Sequence, residues 1–415
     1  MAKIYPFRAY RYAARAGDPA RLLTQPYDKI TPEMQERYFS LSPYNLAHII
    51  RGRATPADTT ADNVYTRAAR YLNDWIASGI LVQDAQPAVF AYVQRFQAPD
   101  AGGAVHTRKG LIALGAVEDY SEGVVYRHEL THAGPKRDRL ELLRHTRAHC
   151  GQIFMLYDDP QMQVDAILSR AAEGPAATCL HDEYGTEHSL WPIASSDAVA
   201  IQRLLAPKKL LIADGHHRYE TALAFRNENP GLAGARRVMM TLVNMRSPGL
   251  LILPTHRVVG NIPRFDAARV LREARASFAV EELPSLEALE QRLARASPDQ
   301  TAIGATFKND ARFFAFLAED RGRLDVAVLH EILLGRVLGL SEEAVREEKH
   351  IRYVRGFQAA ADGLREPGAQ AVFFLNPVKI GRVAEVAFSG GVMPQKSTDF
   401  FPKLLSGLTI YRIED

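Results

Sequence analysis

The stretch Lys209–Asn227, KLLIADGHHRYETALAFRN, most constrains the fold, because an apolar run stops abruptly at polar and glycine residues and then turns helical. Leu210, Leu211, Ile212 and Ala213 form the unbroken run expected of a strand covered on both faces. Asp214 and Gly215 break it. From Arg218 onward, Tyr219, Ala222, Leu223 and Arg226 recur at helical spacing, and Asn229-Pro230-Gly231 is a stop signal. Asp214–Arg218 is therefore expected to be a strand-to-helix turn.

Such a turn has a definite chemistry. A helix start presents unpaired backbone N–H groups and the positive end of the helix dipole, which suits an anion. Gly215 lets the backbone approach a ligand, and His216 and His217 supply donors or proton carriers near neutral pH. Arg218 can grip a phosphate through two parallel hydrogen bonds. The bland alternative is a turn whose histidines cap the helix and pack locally. Asp, Gly, two His and Arg in succession favour the functional reading.

A second concentration lies in VVYRHELTHAGPKRDRLELLRHTRAHC. His128-Glu129-Leu130-Thr131-His132 matches the zinc-protease spacing, which works only inside a helix that puts both histidines on one face. Val124, Val125 and Tyr126 favour a strand before it, and Gly134-Pro135 interrupts a helix after it, so zinc is not expected. His128 and Glu129 are instead expected to end a strand. Lys136, Arg139 and Arg144 then gather around a helix start, suited to phosphate or carboxylate, with a solvated charged face as the alternative. Further upstream, Gln25-Pro26-Tyr27-Asp28 reads as a turn, with Gln25 and Asp28 as candidate ligand contacts beside a plain loop reading.

At 415 residues the chain can hold more than one domain with a proper core. Its 51 basic and 48 acidic residues are too balanced for a nucleic-acid coat or a membrane-surface patch. Only Cys150 and Cys179 occur, the opening MAKIYPFRAYRYAAR lacks an apolar signal segment, and no run is long enough to span a bilayer, so a cytoplasmic location is expected. Residues 61–79 read as an amphipathic helix, followed by strands at Ala88–Gln97 and Lys109–Val117. A composition change at Gly260-Asn261-Ile262-Pro263 predicts an N-terminal α/β domain over 1–260 and a second α+β domain over 261–415. In the latter, helices are expected at Phe265–Ser277, Ser285–Ala296, Asp325–Leu338 and Ser341–Glu348. Strands are expected at Thr301–Phe307, Arg312–Leu317, Ala371–Leu375 and Val383–Phe388. The irregular alternation, with hairpin-like pairs, predicts an α/β (α+β) fold with mixed sheets.

The strings FRAYRY, QPYDKITPEMQERY, SPYNL, HELTHAGPKRDRLELLR, IADGHHRYETAL and MPQKSTDFFPKLLSGL together resemble the domain-of-unknown-function family numbered 1015, nearly end to end. The DGHHR turn also resembles the nucleotide site of the ParB-like superfamily, including its free serine kinases. The first resemblance implies phosphatase-like chemistry and an association with serine biosynthesis, which points to O-phosphoserine. The second implies a ParB-like N-terminal region.

Both lines lead to phosphoryl transfer or phosphate-monoester hydrolysis on a small phosphorylated metabolite. Arg218, Lys136 and Arg139 would hold the phosphate, Asp214 or Glu129 would serve as general base, and His216 or His217 would protonate the leaving oxygen. Mg²⁺ is expected if ADP or ATP takes part, although there is no GxxxxGK[ST] loop and no kinase signature set. No nucleic acid or membrane partner is expected, and a homodimer stays open. The competing class is a non-catalytic, ParB-like nucleotide-binding switch.

Overall fold

The computed structural model describes residues 1–99, 103–131, 133–297, 299–319, 322–394 and 396–414. It has mixed α/β content and two compact units, Met1–Leu251 with Pro402–Asp415, and Ile252–Phe401.

The first unit is built on a nine-stranded mixed sheet. Its central strand, Arg237–Asn244, is buried from Val238 to its end, as its apolar sequence requires. On one side it pairs in parallel with Ile153–Tyr157, on the other antiparallel with Val105–Ala116. Leu210–Asp214 lies next, antiparallel to Ile153–Tyr157, with a register shift between Ile212 and Asp214. Val125–Tyr126 closes that edge in parallel with it. Beyond Val105–Ala116 come Phe90–Gln97, Glu187–Pro192 and Thr178–His181. The amphipathic helix Val64–Ala77 starts at an Asn63 capping box and buries Ala68, Leu72 and Trp75 at helical spacing.

The second unit carries a six-stranded sheet, antiparallel throughout, in the order Ala279–Leu283, Phe313–Glu319, Gln300–Phe307, Ala369–Leu375, Thr255–Gly260, Ile351–Arg355. Alternation along its strands feeds two cores. Phe373 packs with Ile303 and Phe316 on one face, while Val372 and Phe374 pack with Leu289 and Leu293 on the other.

Three expectations need correction. Val383–Phe388 is not a strand but part of the helix Ile380–Phe388, because Val383 and Ala387 are buried four residues apart, one helical turn rather than a two-residue alternation. The expected helix Asp325–Leu338 is α-helical only over Asp325–Val328 and continues as a π-helix over Leu329–Val337. The last residues do not stay with the second unit. Leu404, Leu405, Leu408 and Ile410 are buried in the first, where Ile410 bridges to Tyr10 and Tyr411–Arg412 pairs with Ala148–His149. Among the described residues no helix is long and apolar enough to cross a membrane.

Candidate functional site

Asp214 ends its strand, and Gly215 alone separates it from the helix His216–Glu228. The expected five-residue turn is thus a single residue, and His216, His217 and Arg218 form the first helical turn. Gly215 has φ 95°, a conformation that glycine adopts without steric penalty. Arg218 folds back over it: Nη2 donates to Asp214 Oδ2 at 2.7 Å and Nη1 donates to the Gln152 carbonyl at 2.7 Å. Its Nε is buried without a hydrogen-bond partner.

Lys403 approaches the same carboxylate from the C-terminal segment, with Nζ 3.4 Å from Asp214 Oδ1. Burial alone would raise the Asp214 pKa, but the charges of Lys403, Arg218 and Lys29 outweigh it and hold the carboxyl far below its usual range. Asp214 is ionised at any physiological pH.

Two imidazoles sit behind this ion cluster. His128 is fully buried, its Nδ1–H donates to the Ile212 carbonyl at 2.8 Å, and burial pushes its pKa down to about 4. The His216 ring meets it edge to face, 4.7 Å between centroids. Burial, and then the neighbouring His128, hold the pKa of His216 well below the ordinary histidine value. Its Nε2 is buried without a hydrogen-bond partner. An unsatisfied polar atom in such a place calls for a partner.

His128, Asp214, Gly215, His216 and Arg218 are thus brought together, with half-buried His217 on the same turn. The other candidates have separate employments. Lys136 pairs with Glu220 at 3.2 Å, and Glu220 also accepts from Arg127 at 2.9 Å and Thr131 at 2.5 Å. Arg139 is tied to Asp138 and to the Ile50 carbonyl and lies 4.2 Å above the Tyr27 ring. Arg144 pairs with Glu228 and Glu141 on the surface. Because Glu228 ends the helix that His216 begins, Arg144 sits about 18 Å along the axis from the first turn. Gln25 donates to Asp182 at 3.1 Å, and Asp28 is exposed on a short 3-10 turn. Glu129 is half-buried after the Val125–Tyr126 strand, and His132 lies outside the described residues.

Beside Arg218 opens a pocket lined among others by Tyr27, Ile50, Arg139, Cys150, Thr221 and Ser406. The Thr221 hydroxyl is buried there without a partner. Among the described residues no group of three His, Cys, Asp or Glu side chains is placed to hold a metal ion. Asp214, already engaged by two cations, does not fit a protein-held Mg²⁺.

Sequence reasoning missed Glu220, Gln152 and the role of Lys403. Glu220 follows His216 by one helical turn and was legible as part of that face. Nothing local marks Gln152, whose contribution is a main-chain carbonyl.

No curated protein matches the chain. Among solved structures, a free serine kinase in complex with AMP aligns at 11% identity and a TM-score of 0.38, covering 70% of this chain and 88% of that one. A conserved hypothetical protein from Pyrococcus furiosus aligns at 13% identity and a TM-score of 0.35, covering 70% and 92%. SbnI from Staphylococcus aureus, with a C-terminal truncation, aligns at 12% identity and a TM-score of 0.35, covering 72% and 87%. Scores at this level leave function to the chain's own chemistry. Residues 4–332 match the family model described as "Protein of unknown function (DUF1015)", and the chain belongs to that family.

Proposed function

We propose that the first unit binds a small phosphorylated metabolite at the first turn of the His216–Glu228 helix and catalyses phosphoryl transfer or phosphate-monoester hydrolysis there. The observation that carries this reading is the buried, unpartnered Nε2 of His216 at a helix N-terminus where Arg218 and Lys403 converge on Asp214. The backbone N–H groups of that turn and the Arg218 guanidinium hold the phosphate oxygens. The pocket beside Arg218 takes the remainder of the molecule.

The electrostatics redistribute the roles expected from sequence. Asp214, strongly ionised and ion-paired, is a weak base and serves to fix the cations. Neutral His216 is the proton acceptor for water or a hydroxyl. A phosphate dianion beside its ring opposes the desolvation that depresses its pKa and moves it back toward the working pH. Any Mg²⁺ would arrive with nucleotide phosphates rather than in a protein cage. O-phosphoserine is the first substrate to test, on the strength of the family resemblance.

The experiment is phosphate release from O-phosphoserine by the purified protein, with and without Mg²⁺ and ADP, beside His216→Ala. Turnover lost in the variant while O-phosphoserine binding persists supports the assignment. Binding without turnover in the wild-type protein would favour a nucleotide- or metabolite-binding switch instead.

A further inference from the structure

The C-terminal segment that delivers Lys403 is gripped at its main chain by a buried polar system. Arg108 is among the largest fully buried side chains of the first unit. Its Nη2 donates to the Pro402 carbonyl at 2.5 Å, its Nε to Gln94 Oε1 at 3.0 Å, and its guanidinium lies 4.7 Å above the Phe154 ring. Gln94 Nε2 in turn donates to the Lys403 carbonyl at 3.0 Å. On the strand that carries Gln94, the Tyr92 hydroxyl donates to His188 Nδ1 at 2.6 Å, and His188 Nε2 donates to Asp182 at 3.2 Å. Ser406 and Thr24 exchange main-chain bonds at 2.9 and 3.4 Å, and Gly407 N–H donates to the Cys150 carbonyl at 2.9 Å.

Burying a guanidinium costs several kcal/mol unless its donors are well used. Main-chain anchor points at Pro402, Lys403, Ser406 and Gly407 go beyond what packing the apolar side chains requires. Their effect is to fix the Lys403 main chain, so that a long, flexible side chain arrives at Asp214 nearly buried. The two cations on that carboxylate are unequal. Arg218 holds it at 2.7 Å, whereas Lys403 stands at 3.4 Å, long for a charge-assisted hydrogen bond.

We infer that Lys403 is a ligand-binding cation of the phosphate site, swinging from its loose contact with Asp214 to a phosphate oxygen, and that Arg108 and Gln94 are positioning residues that act through it. This rests on the phosphate reading of the first-turn site. It names a recognition element that comes from the far end of the chain.

The test is calorimetric titration of the full-length protein with inorganic phosphate and with O-phosphoserine. Lys403→Met is expected to weaken both at least tenfold, and Lys403→Arg to recover most of the loss. Arg108→Met should weaken binding in the wild-type background and add nothing in the Lys403→Met background, since Arg108 acts through Lys403. A purely structural Arg108 would instead lower affinity in both backgrounds. Unchanged affinity in a folded Lys403→Met protein would overturn the inference and leave the site intact. If Lys403→Met fails to fold, a Lys403→Arg protein whose affinity and salt dependence match wild type supports it, and one that folds yet binds tenfold more weakly overturns it. No binding by the wild-type protein would overturn the phosphate reading itself, and this inference with it.

Discussion

His128 and His216, 88 positions apart by their numbers, stand edge to face with ring centroids 4.7 Å apart, and burial keeps both neutral. The sign of the resulting pH dependence follows. A folded pKa below the unfolded value of about 6.5 means the unfolded chain binds more protons, so stability rises with pH through that window. The contribution of His128 is complete above about pH 6.5 and is lost as pH falls toward its folded value of about 4. His128→Asn, which retains a side-chain N–H for the Ile212 carbonyl, should flatten urea-denaturation stability between those pH values. A wild-type stability already flat over that range would sink the assignment. Nitrogen-15 NMR of the two rings should show neutral imidazoles at pH 6.

Gly215→Ala should destabilise the protein by about 1–2 kcal/mol, the typical penalty for a side chain in a left-handed backbone position. The substitution also reaches the site. A Cβ at Gly215 would lie 3.0 to 3.2 Å from the Arg218 guanidinium, which must give way. Phosphate affinity should therefore fall more than stability explains. Loss of stability with unchanged affinity would show that Arg218 does not hold the ligand.

Asp214→Asn removes the one carboxylate that Arg218 and Lys403 share. Removing one partner of a buried pair costs about 3 kcal/mol at neutral pH. Because the folded pKa of Asp214 is depressed, that stabilisation is full above the unfolded carboxylate value of about 3.9 and is lost as pH falls below it. The stability gap between wild type and Asp214→Asn should thus narrow on acidification below about pH 4. The released cations should meanwhile bind phosphate more tightly at neutral pH. A gap independent of pH would mean that the carboxylate charge is not what stabilises the cluster.

The legible part of this molecule is the part written locally. The apolar run Leu210–Ala213 and the spacing of Tyr219, Ala222, Leu223 and Arg226 declare a strand and a helix, because each element's own periodicity reports its conformation. The same logic misread Val383–Phe388, where two valines and a phenylalanine look strand-like although burial follows a four-residue spacing. The meeting of His128 with His216 belongs to pairing between the strands Val125–Tyr126 and Leu210–Asp214, which no local pattern encodes. Lys403 is further out of reach. Its contact with Asp214 spans 189 positions and depends on a C-terminal segment that returns to the first unit after the whole of the second. Arg139 and Arg144 are close in sequence, yet the helix that carries both turns them toward different neighbours, Arg139 to the pocket beside Arg218 and Arg144 to Glu228.

Glu220 offers the sharpest test of how the two stretches are joined. It is nearly buried, and it receives Arg127, Thr131 and Lys136, so the segment that carries His128 is tied to the helix that carries His216 through one carboxylate. Arg127 and Lys136 are each more than a third exposed, so their ion pairs are weak individually and the Thr131 bond contributes on a similar scale. Glu220→Gln should then cost only about 1–2 kcal/mol in global stability. The local effect should be larger, because Arg127 and Thr131 reach the helix through this one carboxylate and local ties of that kind can open without unfolding the core. Amide exchange should accelerate across residues 127–139 while the central strand Arg237–Asn244 stays protected. The His216 ring resonance should shift as its His128 neighbour loosens. Acceleration spread evenly over the first unit would instead make Glu220 an ordinary core contact, and would remove the tie between the two stretches.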